Sequence, residues 1–312
     1  MNLIDAAKLY VERRQAGGEK MITPANVLRS FYRRYPGKTL ASITSADVRK
    51  FLDGPHTGPG TWLHKYGILR VFFDYWRRRR ELEKLPMPPT GPKYTSSFVP
   101  YIFTRQELRS LLDAVPRCQQ RPHCYMSAVT FRTILLFLYG TGMRVGEAIK
   151  LRLAEVDLEN SVITIRGTKF YKSRLVPLGL DVRQLLLDYV ASPGRRNQGD
   201  EPLFQSKIRA AIERQVVEKS FRRLRGLAGV HRNDASSYQP RVHDLRHTFA
   251  VHRVMEWYRQ GADVQSLLPA LSTYLGHVNL ASTQRYLTMT PELLAEANSR
   301  FQHYVYGGRD ER

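Results

Sequence analysis

Residues 243–250 read His-Asp-Leu-Arg-His-Thr-Phe-Ala, and they open a stretch, residues 243–260, that we predict to be helical. His243 and Arg246 are three residues apart, so a helix places both side chains on one face. A His-x-x-Arg pair by itself is most often part of an ordinary charged surface. Its meaning therefore depends on which residues accompany it elsewhere in the chain.

A second stretch with polar and glycine residues lies far upstream, at residues 140–147. Gly140-Thr141-Gly142 predicts a tight turn, and Arg144 follows it near the start of a helix predicted for Val145–Leu151. The start of a helix is a favourable place to bind an anion. Glu147, one turn further on, either orients Arg144 or simply favours the helix start, and we prefer the first interpretation.

Two more polar residues complete the set near the carboxyl end. His277 follows a Leu-Gly pair, and Tyr286 comes nine residues later. Each has an ordinary explanation on its own, the histidine as a helix cap and the tyrosine as a half-buried packing residue. Their occurrence together with Arg144 and the His243–Arg246 pair favours one shared functional site over these separate explanations.

These residue types meet the needs of a tyrosine that cuts a phosphodiester. Charge builds up on the non-bridging oxygens in the transition state, and the planar guanidinium of arginine binds such oxygens in pairs. A lysine or histidine can supply the proton that the leaving 5′ oxygen needs. The tyrosine needs a base or a hydrogen-bond acceptor, because its free pKa is about 10. This chemistry requires no cofactor, no metal and no ATP.

The stretches resemble the signature boxes of the tyrosine recombinases, the family of phage integrases, Xer and Cre. The resemblance covers roughly residues 100–305, and it is specific because the boxes occur together and in this order. It is carried by four segments, residues 140–147, 243–250, 275–278 and 282–286.

The resemblance implies a role for each of the five residues. Arg144 and Arg246 would hold the scissile phosphate, and His277 would bond the same phosphate. His243 would assist proton transfer. Tyr286 would attack the phosphorus and form a 3′-phosphotyrosine link.

The family also carries a lysine on a β-hairpin, which protonates the leaving 5′ hydroxyl. Lys169 and Lys172 both lie in the segment that corresponds to this hairpin, and we expect Lys169 to be the acid, with Lys172 as the alternative. Lys172 and Arg174 are further expected to contact DNA. The same expectation applies to the basic run Arg77-Arg78-Arg79-Arg80, although such a run is also typical of a solvated helix end.

Composition points to a polyanionic partner. The chain has 312 residues, 42% of them hydrophobic, and a formal net charge of +21. Nucleic acid is the first candidate for such a basic protein and an anionic membrane surface the second. Residues 1–100 already carry 18 lysines and arginines against 8 acidic residues, so both halves of the chain are expected to touch phosphate.

The length favours two domains. We predict a mainly α fold with a helical, core-binding domain at residues 1–88 and a proline-rich linker at residues 89–103. An α+β catalytic domain, mostly helical with a small antiparallel sheet, is predicted for residues 104–312. The resemblance implies that the two domains form a C-shaped clamp on duplex DNA.

Apolar spacing and turn residues give the predicted elements. In the first domain we expect several helices, with a buried aromatic and apolar stripe made of Trp62, Tyr66, Leu69, Phe73 and Trp76. In the second domain we expect a hairpin of two strands, residues 161–166 and 174–177. The expected helices of the second domain are residues 131–139, 145–151, 208–227, 243–260, 264–275 and 291–304.

Other classes of protein fit the sequence poorly. Cys118 and Cys124 are too few for a disulfide framework, which indicates a reducing cytosol, and with His123 they lack the paired spacing of a structural zinc site. We predict no signal peptide and no membrane span. The expected location is the bacterial cytoplasm, on the nucleoid.

The leading interpretation is a site-specific DNA recombinase that passes through a Holliday junction and serves a mobile element in integration, excision or transposition. The alternatives are a Xer-like dimer resolvase and a non-catalytic DNA-binding protein. The expected partners are duplex DNA with specific sites, three further copies in a synaptic homotetramer, and other recombinases or DNA-bending proteins.

Overall fold

The computed structural model describes residues 1–55, 57–89, 91–92, 99–166, 173–195, 200–234, 236, 238–277, 279, 281–284 and 286. The chain divides into two compact units, Met1–Ser97 and Phe98–Arg312. The three-part division predicted from the sequence stays a prediction, and so does the clamp. The helix expected at residues 291–304 lies outside the described residues.

The first unit is helical, as predicted. Its elements are α1 (Leu3–Ala16), α2 (Ile22–Arg34), α3 (Ser45–Leu52) and α4 (Pro59–Arg77). The stripe on α4 is core, because four of its residues are buried, namely Trp62, Leu69, Phe73 and Trp76, and the half-buried Tyr66 packs against them. Across the same core the ring of Phe31 meets that of Phe51 edge to face, with centroids 5.1 Å apart.

The second unit contains the remaining elements. The helices are α5 (Arg105–Gln119), α6 (Ala128–Thr141), α7 (Val145–Ala148), α8 (Leu180–Val190), α9 (Arg214–Leu227), α10 (Asp244–Arg259), α11 (Val264–Leu275) and α12 (Ala281–Gln284). The strands are β1 (Val156–Asp157), β2 (Val162–Ile165) and β3 (Arg174–Pro177). The predicted class, mainly helical with a small sheet, is confirmed.

The sheet is antiparallel with the strand order β1-β2-β3. The predicted hairpin is its β2–β3 pair, in which Ile163 faces Val176. Sequence patterning missed β1, because a strand of two residues has too few side chains to show alternation.

Helix α6 lies at the centre of the second unit. It packs against α5, α8 and α10, and Ile134, Phe137 and Leu138 on it are almost completely buried. The sequence predicted this buried helix, whose bounds in the structure are wider at both ends. Because α6 is enclosed, the turn that follows it is held in a fixed position.

The helix predicted for residues 208–227 is shorter than expected. Helix α9 begins only at Arg214, because the residues before it form a tight loop closed by a bridge between Gln205 and Ala211. Arg209 takes a left-handed conformation in this loop, with a φ of 61°. Ile208, which periodicity assigned to the helix, is exposed at the tip of the loop.

The two cysteines surround an arginine. Arg223 on α9 donates from Nε to Cys118 Sγ at 3.3 Å and from Nη2 to Cys124 Sγ at 3.1 Å. Both thiols are free and buried. Within the described residues, no group of three histidine, cysteine or acidic side chains is placed to hold a metal ion.

Among the helices of the described ranges, none is both long and apolar enough to cross a membrane.

Each unit contains a helix that begins with the same capping arrangement. Thr44 caps α3 and bonds reciprocally with Asp47, and Thr104 caps α5 and bonds reciprocally with Glu107. The Thr-x-x-Glu pattern of residues 104–107 is typical of the second cap. Both arrangements satisfy amide groups that the helix itself leaves unpaired.

The two caps offer a matched test of the domain division. Replacing an N-cap threonine with alanine destabilises a helix by about 1 kcal/mol. If the units unfold separately, calorimetry will show that Thr44→Ala lowers only the transition of the first unit and Thr104→Ala only that of the second. A single transition that both variants shift equally would mean that the chain unfolds as one cooperative domain.

Candidate active site

The turn after α6 is shaped by a glycine. Gly142 caps the helix in the left-handed conformation, with a φ of 60°. A Cβ at this position would collide with the ring of Phe249. Only glycine combines this backbone conformation with that close approach. The turn therefore directs the carbonyl of Gly142 toward α10.

Arg246 on α10 is the buried centre of the site, with 3% of its surface exposed. It donates from Nη1 to the carbonyl of Gly142 at 2.9 Å and from Nη2 to the carbonyl of Leu275 at 2.6 Å. These carbonyls lie at the C-terminal ends of α6 and α11, which carry partial negative charge. Burial, and then the nearby charge of Arg144, lower the pKa of Arg246 to about 10, so it stays cationic at neutral pH.

Arg144 lies beside this centre and is the more accessible arginine. Its side chain is 38% exposed and pairs with Glu147, with 2.8 Å between Nη1 and Oε1. Nη2 donates to the carbonyl of Gly276 at 2.9 Å. Gly276 is the left-handed cap of α11. Both arginines are thus held by carbonyls at the end of the same helix.

Glu147 joins Arg144 to a third arginine. Its Oε2 lies 2.8 Å from Nη2 of Arg174, whose side chain is only 13% exposed. Arg174 also donates from Nε to the carbonyl of Tyr274 at 3.2 Å. Burial raises the pKa of Glu147, but the bonds from Arg174 and Arg144 outweigh it, so the net shift is downward. Glu147 has the supporting position expected from the sequence, while Arg174, an expected DNA contact, is engaged inside the protein.

His277 follows Gly276 and is oriented by Thr283. Its Nδ1 lies 2.7 Å from the hydroxyl of Thr283, and Thr283 is completely buried. The contact fixes the imidazole ring and leaves Nε2 for another partner. Burial, followed by repulsion from Arg246 and Arg144, lowers the pKa of His277 to about 4.

His243 lies at the N-terminal end of α10, one turn before His247. The rings of His243 and His247 meet edge to face, with centroids 5.2 Å apart. Burial lowers the pKa of His243 to about 4, and Arg246 adds to the effect. Both His243 and His277 are therefore neutral near pH 7.

Tyr286 lies among these residues of its own chain and is 2% exposed. Its ring stacks on that of His277 with a centroid distance of 6.0 Å. Its hydroxyl lies 3.1 Å from Nδ1 of His247. The structure thus brings Arg144, His243, Arg246, His277 and Tyr286 together, although the sequence places them far apart.

A basic groove of about 530 Å³ opens beside this site. Arg144 and His243 line its inner end. The side chains along the rest of the groove include four more arginines, namely Arg214, Arg222, Arg225 and Arg241. A groove with this charge favours the binding of a polyanion.

The other basic residues expected at the DNA lie in different surroundings. Arg77 and Arg78 both pair with Asp74, and the guanidinium of Arg79 lies 3.7 Å from the centre of the Tyr75 ring. Arg80 has a left-handed backbone with a φ of 61°. Lys169 and Lys172 lie outside the described residues.

Sequence reasoning missed two residues of the site, His247 and Thr283. His247 is four residues after His243 in the same box, a helical spacing that could have identified it. Thr283 belongs to the segment that ends in Tyr286, but its contact with His277 has no local signature.

Comparisons with known proteins agree on one family. A sequence model of the phage integrase family matches residues 102–292. The integrase/recombinase y4rB of Sinorhizobium fredii is 34% identical over 95% of this chain and 96% of its own. Tyrosine recombinase XerC of Staphylococcus saprophyticus is 29% identical over 74% of this chain and 71% of its own.

A solved structure of the Tn1549 transposon integrase in complex with a circular intermediate DNA has a similar fold. The TM-score is 0.70 at 17% identity, covering 97% of this chain and 99% of that one. With the matched family model and the full-length relative, the assignment is settled: the chain belongs to the phage integrase family, the site-specific tyrosine recombinases.

Proposed function

We propose that this chain breaks and rejoins DNA at Tyr286, and that it does so for a mobile element. The observation that carries the proposal is the position of the Tyr286 ring, stacked on His277 in the site that also holds Arg144 and Arg246. A nucleophile and two fixed cations in one place are what attack on a phosphodiester requires.

In the proposed reaction, Arg144 and Arg246 bind the non-bridging oxygens of the scissile phosphate. His277 donates a hydrogen bond to the same phosphate, and His243 assists proton transfer there. Tyr286 forms the 3′-phosphotyrosine link.

The leaving 5′ oxygen needs a proton, for which we propose Lys169, with Lys172 as the alternative. The energy of the phosphodiester is kept in the protein–DNA link, so the strand can be rejoined without ATP or metal.

Stoichiometry supports a tetramer as the working form. Exchange between two duplexes breaks four strands, and each chain brings one Tyr286 into its own site. Four copies on two DNA sites would therefore pass through a Holliday junction as the strands exchange in pairs. The basic groove beside Arg144 is suited to the flanking phosphates, and the proposed location is the bacterial nucleoid.

Similarity favours a mobile element over a dimer resolvase. The integrase/recombinase y4rB matches almost the whole chain, whereas the XerC relative matches 74% of it. One protein with a similar fold is the integrase of the transposon Tn1549, which supports the mobile-element role. A purely DNA-binding role is less well supported, because binding alone would not need a tyrosine stacked on His277.

The first test is a covalent adduct. Nicked duplexes from the ends of the encoding element, mixed with the protein in EDTA and then denatured, should give a protein–DNA adduct. Tyr286→Phe should abolish the adduct and leave DNA binding within about twofold, since only the hydroxyl is lost. Tyr139→Phe is the matched control, because it removes a tyrosine hydroxyl bonded to His252, outside the site. An adduct that persists in Tyr286→Phe, or that EDTA prevents, contradicts the proposal.

The position of Tyr286 predicts attack in cis, each chain cutting the phosphate that it binds. Arg144→Ala keeps the tyrosine but loses a phosphate ligand, and Tyr286→Phe keeps the phosphate site but loses the nucleophile. A mixture of the two variants should form no more adduct than either alone. Mixing each variant with wild-type protein tests whether the variant inhibits adduct formation by another chain. If mixing the two variants restores adduct formation, the tyrosine attacks in trans.

Glu147 should be needed to position Arg144. Glu147→Gln removes the charge that holds Arg144 and leaves the buried Arg174 without its carboxylate. We expect a loss of about 1–3 kcal/mol in unfolding free energy and a fall of at least ~10-fold in the cleavage rate. Glu218→Gln, which breaks an exposed pair with Arg214, should change stability by less than about 0.5 kcal/mol. Equal behaviour of the two variants would contradict this role.

A further inference from the structure

We propose that His247 is a further catalytic residue and that its Nδ1 accepts the proton of the Tyr286 hydroxyl as that oxygen attacks. The inference rests on the proposed function of Tyr286. Its basis is the contact of 3.1 Å between the two atoms, and it assigns a task to a histidine for which the mechanism above has no use.

The surroundings hold this pair in place. His247 lies on α10 directly after the phosphate ligand Arg246, and Tyr286 is almost completely buried. The rings of His247 and Tyr286 are tilted toward each other with centroids 5.8 Å apart. The ring of His243 meets His247 on another side, so the imidazole has little room to turn away from the hydroxyl.

Burial, and then the charges around it, keep His247 neutral before DNA binds. Burial lowers its pKa to about 3, and the remaining contributions have the same sign. They come from His243 and Arg246 on α10, from Arg241 before that helix, and from His277 after α11. A neutral imidazole has one nitrogen with a free lone pair, and in the tautomer with that lone pair on Nδ1 the Tyr286 hydroxyl is the donor of this contact.

DNA itself would activate this base. A phosphodiester bound by Arg144 and Arg246 brings a negative charge that opposes the repulsion from the arginines. The pKa of His247 then rises, because its charged form is no longer disfavoured to the same extent. The tyrosine would thus stay protonated in the free protein and lose its proton only when a substrate is in place.

Each proton and electron pair that moves in the proposed reaction has a donor and an acceptor. The bond between Tyr286 Oη and phosphorus forms as the bond between phosphorus and the 5′ oxygen breaks. The tyrosine proton moves to Nδ1 of His247, and the departing oxygen keeps the electron pair and takes a proton from the proposed Lys169. On rejoining, the 5′ hydroxyl attacks phosphorus and returns its proton to Lys169, while the bond to Tyr286 Oη breaks and His247 returns its proton to that oxygen.

His247→Asn is the decisive variant, because the asparagine amide can hydrogen-bond near the position of Nδ1 but does not accept a proton at neutral pH. We would measure the single-turnover rate of adduct formation on nicked duplexes between pH 6 and pH 9. We expect a loss of about 10²–10⁴-fold at pH 7. The remaining rate should rise about tenfold per pH unit, because hydroxide must then remove the tyrosine proton.

A sulfur substrate separates activation of the tyrosine from protonation of the leaving group. Sulfur in place of the 5′ bridging oxygen leaves without a proton, so this substrate should rescue Lys169→Ala. It should not rescue His247→Asn, whose defect lies at the nucleophile. Rescue of His247→Asn by sulfur, or a loss that is the same at every pH, would overturn the proposal.

His252→Asn is the matched control. His252 lies on the same helix, its Nδ1 is 2.9 Å from the hydroxyl of Tyr139, and burial lowers its pKa. The His252→Asn variant should cleave the nicked duplex at the wild-type rate. DNA binding and thermal unfolding establish that each variant is folded. If His247→Asn does not fold, His247→Gln takes its place, with the same expected loss of cleavage rate.

The outcomes also distinguish the two levels of the proposal. If Tyr286→Phe abolishes the adduct while His247→Asn and His247→Gln cleave within about threefold of wild type, only the role of His247 fails. If the adduct survives Tyr286→Phe, the proposed nucleophile fails as well.

Discussion

The site depends on two helix ends that face each other and share one buried guanidinium. Arg246 bonds to the terminal carbonyls of α6 and α11, and Arg144 bonds to the next carbonyl beyond α11. Removing an arginine from water costs several kcal/mol, and hydrogen bonds from a charged donor contribute about 1.5–3 kcal/mol each. Carbonyl dipoles thus fix the two cations without neutralising Arg246, whose charge remains for an anion.

Burial, with a smaller contribution from the nearby charges, determines the protonation state of the three histidines. Burial together with the nearby arginines lowers the pKa of His243 and His277 to about 4 and that of His247 to about 3. All three imidazoles are therefore neutral near pH 7 and can act as hydrogen-bond donors or acceptors. Preorganised cations with neutral histidines favour the binding of a phosphate, because the anion would relieve the electrostatic repulsion among the positive charges.

Much of this arrangement could be predicted from the sequence, because the boxes around Arg144, Arg246 and Tyr286 are local patterns. The mainly helical class and the small sheet also follow from periodicity and turn residues. What could not be predicted depends on contacts between distant segments. The loop before α9 is closed by a bridge that no periodicity reveals, and Arg174 looked like a free basic residue although it reaches across to Glu147 and the end of α11.

The position of Arg174 connects the hairpin to the phosphate site. Arg174 begins β3, directly after the segment that carries the proposed acid Lys169. A Cβ on Gly276 would lie 2.9 Å from its guanidinium, so a glycine there leaves room for the arginine against the cap of α11. Because Glu147 holds both Arg174 and Arg144, one carboxylate sets the start of β3 relative to Arg144. If Lys169 and Arg144 have the proposed roles, the acid and the phosphate ligand come from separate stretches of the chain that Glu147 connects through Arg174.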